Sequence, residues 1–80
     1  MPTKKQIEDA WQEANPIRGK NPETWRKDDF GNKIRHGSYG TVGDYGWEID
    51  HIKPASKGGP STDKNLRPLH WKKNRQKSDS

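Results

Sequence analysis

Asp50 and His51 stand side by side at the close of the most strand-like run in the chain, GWEIDHIKP, and Pro54 and the Gly58-Gly59 pair follow at once. A carboxylate beside an imidazole is either surface decoration or a metal ligand beside a general base. Asn65 begins a second extended piece, NLRPL, fourteen residues after His51, and Asn74 lies nine residues further on in the polar segment HWKKNRQKSDS. Singly, each position has an ordinary explanation: a histidine at the surface, an asparagine in a turn, an asparagine on a solvated helix. Read jointly, they fall on an order of strand, long loop, strand, helix.

The stretches EIDHIKPASKGG, NLRPLHWKKN and NRQK resemble the HNH nuclease motif, which is carried by the ββα-metal fold. The resemblance covers about residues 45–78, and the Asp-His doublet, the Pro and Gly-Gly of the loop, the NL..L segment and the final N..K keep compatible spacings. It implies that His51 is the general base, that Asp50 and Asn74 are metal ligands, and that Asn65 orients His51. Asn74 stands where the family name leads one to expect histidine, a variant that keeps a side-chain oxygen. The upstream WRKDDFGNKI is similar to an N-terminal extension of some bacterial members. The cysteine-paired zinc knuckle of many relatives is missing, so packing must hold the domain together. The implied reaction cuts DNA to 5′-phosphate and 3′-hydroxyl ends.

Elementary chemistry agrees with that assignment. Hydrolysing a phosphodiester requires an activated water, a cation to take up developing charge, and in-line placement. One carboxylate and one amide carbonyl leave most of a hard cation's shell open to water and phosphate. One divalent ion is therefore expected, Mg²⁺ first, with Mn²⁺, Ni²⁺ or Zn²⁺ as alternatives. An imidazole is mostly neutral at pH 7–8 and, as a general base, contributes roughly 10²–10⁴ in rate. Neighbouring strand residues point to opposite faces, so a twist or bulge before Pro54 is expected to swing His51 round. Asp50 should share its face with the helix carrying Asn74, their oxygens within roughly 5 Å.

The elements that must position these groups are short. TKKQIEDAWQEA reads as a helix: Thr3 and Gln6 have capping-box spacing, and Ile7, Ala10, Trp11 and Ala14 share a face until Asn15-Pro16 ends it. Gly31-Asn32 suggests a hairpin with Trp25, Phe30 and Ile34 turned inward. Asp28 and Asp29 beside that turn are read as structural, and His36 as exposed in a glycine-rich loop without a partner. His70, on the same helical face as Asn74, is read as packing or supporting the site, with a third-ligand role left open, and Trp47 and Trp71 are read as core. The fold class is α+β, a small ββα-metal motif with an N-terminal helix and an added short hairpin or loop region. A single domain, 1–80, divides into an extension, 1–46, and a core, 47–78.

Only 24% of the residues are apolar and 34% are charged, proportions that lean toward disorder. Four tryptophans oppose that tendency, since each large ring buries roughly 150–250 Å². With no cysteine, disulfides and cysteine-based zinc sites are excluded. The net charge of +5 is uneven: residues 1–46 hold 8 basic and 7 acidic side chains, residues 47–80 hold 8 and 4. A basic C-terminal half points to a polyanion. The expected DNA-backbone contacts are Lys53, Lys57, Arg67, Lys72, Lys73, Arg75 and Lys77. No apolar run spans a bilayer and no signal-peptide pattern occurs, so a cytoplasmic protein of bacterial or phage setting, without a membrane partner, is expected. The oligomeric state stays open, a monomer being compatible. The rival readings are a non-catalytic nucleic-acid-binding module on the same fold and a metal that only stabilises.

Overall fold

A computed structural model describes residues 2–77. Helix α1, Lys4–Gln12, begins with the capping box that its sequence encodes: Gln6 N donates to Thr3 Oγ1 at 3.1 Å and Thr3 N to Gln6 Oε1 at 2.9 Å. Two orphan amides are satisfied at once, and the apolar stripe delivers Ala10 and Trp11 fully into the core. Asn15–Pro16 ends the helix but also forms a short strand, β1, beside β2 (Trp25–Lys27), which pairs in turn with β3 (Lys33–Arg35). Pro16 is tolerated there because β1 is an edge. The expected hairpin is thus two strands of a three-stranded antiparallel sheet.

The β2–β3 turn is built around Asp28. This carboxylate is only 2% exposed and accepts from Phe30 N (3.0 Å), Asn32 N (2.8 Å), Asn32 Nδ2 (3.1 Å) and, across the molecule, His70 N (3.0 Å). Its structural reading holds. Ile34 is buried as expected and Trp25 is half-buried, edge-on to Tyr45. Phe30 corrects the expectation: it is 51% exposed. The turn's hydrogen bonds to Asp28 fix the backbone around residue 30, and they outrank that residue's apolarity in setting its direction.

Strand β4 (Trp47–His51) pairs antiparallel with β5 (Leu66–His70) in unbroken register from Trp47↔His70 to His51↔Leu66. Pro68 sits inside β5 opposite Ile49, which a two-stranded sheet permits because both strands are edges. Helix α2 (Trp71–Gln76) follows β5 directly, completing the expected strand–strand–helix unit. The remainder of the expected terminal helix, 78–80, lies outside the described residues.

The two halves share one core. Ala10, Trp11 and Ala14 from α1 and its C-terminal end meet Ile34, Trp47 and Leu66, with the Trp11 and Trp47 rings 5.5 Å apart. The Trp47 indole donates to the Arg35 carbonyl at 2.9 Å. His36 was expected to have no partner. Instead its ring lies 4.9 Å from that of Trp11 and its Nε2 is 2.7 Å from Glu8 Oε2, because α1 packs over the segment that carries it. Trp71, expected in the core, is half-buried at the start of α2 and donates from Nε1 to the Gly43 carbonyl at 2.7 Å. No helix among the described residues is long and apolar enough to cross a membrane.

Candidate active site

Alternation along β4 divides the site between two faces. Glu48 and Asp50 point toward α2. The Asp50 side chain, 8% exposed, receives Lys77 Nζ at 3.0 Å on each oxygen and Arg67 Nε at 2.8 Å on Oδ2. Arg67 is Asp50's direct cross-strand partner, and its Nη1 continues to Asp29 Oδ2 at 3.2 Å. Asn74, one turn before Lys77, donates from Nδ2 to Glu48 Oε1 at 2.8 Å. Asp50 and Asn74 therefore belong to the same β4–α2 interface, with Glu48 and Lys77 interleaved between them.

His51 emerges on the opposite face. Of the twist or bulge expected before Pro54, no bulge occurs within the strand itself, since the ladder runs regularly to His51 and the strand ends there. Its ring joins Ile49, Leu66, Ser61, Pro2 and Gln6 around a cavity of about 320 Å³, and Nε2 lies 3.0 Å from Ser61 Oγ. The carboxylate and the imidazole are thus brought to one strand end but on two sides of it. A phosphate reaching both must straddle that end.

Asn65 acts on the loop between them rather than on the ring. Its Oδ1 accepts from Lys53 N at 2.8 Å, while Nδ2 donates to the Lys53 and Pro60 carbonyls at 3.1 and 2.7 Å. Those bonds staple both ends of the 53–60 loop. They hold the loop that brings Ser61 Oγ to 3.0 Å from His51 Nε2, and the bonds Asn65 makes are to loop backbone rather than to the ring. The glycine pair makes the closure possible. Gly58 sits at φ +83°, where glycine is least strained, and a Cβ on Gly59 would collide with the Lys53 carbonyl.

The electrostatics of the α2 side are dominated by pairing. Burial works to lower the pKa of the Arg67 guanidinium, but hydrogen bonds to Asp50 and Asp29 outweigh it and raise the value above the ordinary one, so Arg67 stays charged wherever the chain is folded. Among the described residues no three His, Cys, Asp or Glu side chains gather to hold a metal. The donors near Asp50 are instead Glu48 and the amide of Asn74, an all-oxygen set that suits a hard cation. The set fits such an ion only if Lys77, whose ammonium spans both Asp50 oxygens, yields its place and Asn74 turns Oδ1 inward in place of the Nδ2 it now aims at Glu48, a carboxylate that also faces Arg75 Nη2 at 3.7 Å.

His70 does not join this set. It is buried, its Nδ1 caps α2 by accepting from Lys72 N at 3.1 Å, and its Nε2 bonds the Asp44 carbonyl at 2.7 Å, so both ring nitrogens are used. The expected basic contacts divide into two groups. Lys53 and Lys57 are exposed on the loop, Lys72 and Arg75 are exposed on α2 flanking the Trp71 ring, and Lys73 lies over Phe30. Arg67 and Lys77 face Asp50 instead.

Sequence reasoning passed over Glu48, though its place two residues before Asp50 puts it on the same face of a strand. It also passed over Ser61, for which the lettering carries no signal because only the folded loop brings it to His51. A family model described as HNH endonuclease matches residues 31–80. No curated protein and no solved structure matches the chain.

Proposed function

The chain belongs to the HNH endonuclease family, and from that membership together with the site's geometry we propose that it is a metal-dependent endonuclease hydrolysing DNA phosphodiester bonds with little sequence preference. The observation that carries the reading is the division of β4's end. Asp50 lies on the face shared with Asn74, and His51 opens onto a cavity on the other.

His51 accepts the proton of the attacking water at Nε2, the water displacing the Ser61 Oγ that now lies 3.0 Å away. Asn65 holds the loop beside His51 through its bonds to the Lys53 and Pro60 backbone. Asp50 and Asn74 would hold one divalent ion, Mg²⁺ or Mn²⁺ by the hardness of their oxygens, at the place that the Lys77 ammonium now takes beside Asp50. When bound, that ion supplies charge stabilisation to the phosphate and the leaving oxygen, an effect of several kcal/mol. Lys53, Lys57, Lys72, Lys73 and Arg75 contact backbone phosphates. Such contacts position the strand without reading bases. The products carry 5′-phosphate and 3′-hydroxyl ends.

A plasmid-nicking assay tests this reading. Supercoiled DNA is expected to convert to nicked circles with Mg²⁺ or Mn²⁺ and to remain intact with EDTA. Failure to nick at any metal concentration, with DNA binding preserved, would favour the non-catalytic nucleic-acid-binding module. The clamp of Arg67 and Lys77 on Asp50 is the observation on that module's side.

A further inference from the structure

Phe30 is a large aromatic whose exposure packing does not account for. The residue is 51% exposed on the turn that Asp28 organises. Two cations attend it: Lys73 Nζ lies 4.4 Å and Arg67 Cζ 5.3 Å from the ring centroid. Arg67 is also the residue bonded to Asp50, so one guanidinium separates the ring from a candidate metal ligand. Lys73 also helps line a cavity of about 310 Å³ with Asn32, His70, Lys72 and Gln76.

This chemistry selects its partner. An apolar protein side chain docking on Phe30 would strip water from Lys73 and Arg67 without compensating their charges. A nucleotide offers what both components need, a flat π face for the ring and an anionic phosphate for the ammonium. Within a duplex, base faces are hidden in the stack, so only an unpaired base presents one. Lysine's flexible four-carbon stem lets Lys73 leave the ring for a phosphate, opening the face it now covers.

We propose that Phe30 is a stacking platform for an unpaired nucleobase close to the scissile phosphate, with Lys73 binding the adjoining phosphate. The proposal rests on the nuclease reading above and extends it: the site favours single-stranded or locally unpaired DNA. Phe30 is a contact residue, not part of the hydrolytic machinery.

Anisotropy with short fluorescein-labelled oligonucleotides in EDTA, where no turnover occurs, provides the test. Phe30→Ala is expected to weaken single-strand binding by about 5- to 150-fold. Phe30→Trp should restore binding and Phe30→Leu should not, since leucine keeps the apolar bulk but lacks the π face. An abasic position walked along the strand should reproduce the loss at one place in the wild type and add nothing in Phe30→Ala. Binding to a fully paired duplex should barely change.

Unaltered single-strand binding by Phe30→Ala, an equal loss on duplex, or rescue by leucine would overturn the platform. If Lys72→Ala with Arg75→Ala weakens binding while Phe30→Ala does not, the platform alone falls. If those basic variants and added salt also leave binding untouched, the DNA reading falls with it.

Discussion

Asp50 carries two cations before any metal arrives, and that fact governs how the site is expected to respond to substitution. The Lys77 ammonium bridges both carboxylate oxygens at 3.0 Å, while Arg67 approaches from the facing strand at 2.8 Å. Removing Lys77's charge removes a competitor for the carboxylate. A partly exposed pair of this kind is worth about 1 kcal/mol, so Lys77→Met should tighten Mn²⁺ binding about fivefold in calorimetric titration. Unchanged or weaker binding would mean that the ammonium supports the site instead of competing for it. Asp50, His51, Asn65 and Asn74 could be singled out as candidates because their spacing is carried by the chain itself. The Asp50–Arg67 pair was not: it depends on the β4–β5 register, which places the two residues opposite each other and which no local pattern states. Ser61 and Phe30 escaped for the same reason, as both depend on how a turn is closed.

Short elements tied together by side-chain hydrogen bonds, rather than long ones with deep faces, hold this fold's geometry. Asp28 is the clearest case, joining the β2–β3 turn to the junction of β5 and α2 through four donors. Asp28→Ala strands those donors, His70 N among them in a buried position. The expected cost is about 3 kcal/mol, roughly 12–24 °C in Tm for a domain of this size by thermal melt. A loss of only a degree or two would show that water replaces the carboxylate freely. Gly59→Ala tests the loop between the site strands. Its Cβ meets the Lys53 carbonyl, so the loop must shift, and Ser61 and His51 with it. Cleavage should fall about a hundredfold in a nicking assay while the circular dichroism spectrum holds. Helix α1 was readable from its capping box and apolar stripe. Strand β1 was not, because two residues, one of them proline, carry no periodicity; Asn15 and Pro16 become a strand only when β2 lies beside them.

At the scale of the molecule, residues 2–46 and 47–77 share one core, since Trp11 and Trp47 pack against each other and Ile34 and Leu66 join them in it. A peptide of residues 47–80 alone should therefore lack helical and strand signals in circular dichroism, the β4–β5 pair having lost the surface against which Trp47 is buried. The uneven charge is the other molecular property. Lys53 and Lys57 are exposed on the loop after β4, and Lys72 and Arg75 on α2, so DNA affinity should fall steeply with salt, and Lys72→Ala should reduce the slope of log K against log salt by about one. The charge asymmetry was visible in the sequence. The arrangement of its cations was not, because Arg67 and Lys77 turn inward to Asp50, Lys73 lies over Phe30 and Arg75 approaches Glu48, while Lys53, Lys57 and Lys72 are exposed. One activity measurement bears most directly on the central claim that both faces of β4's end serve one reaction: single-turnover cleavage by His51→Ala, with Mn²⁺ and DNA binding checked in parallel. The expected result is a fall of roughly 10²–10⁴ in rate with both binding reactions intact; cutting at a near-normal rate would contradict it.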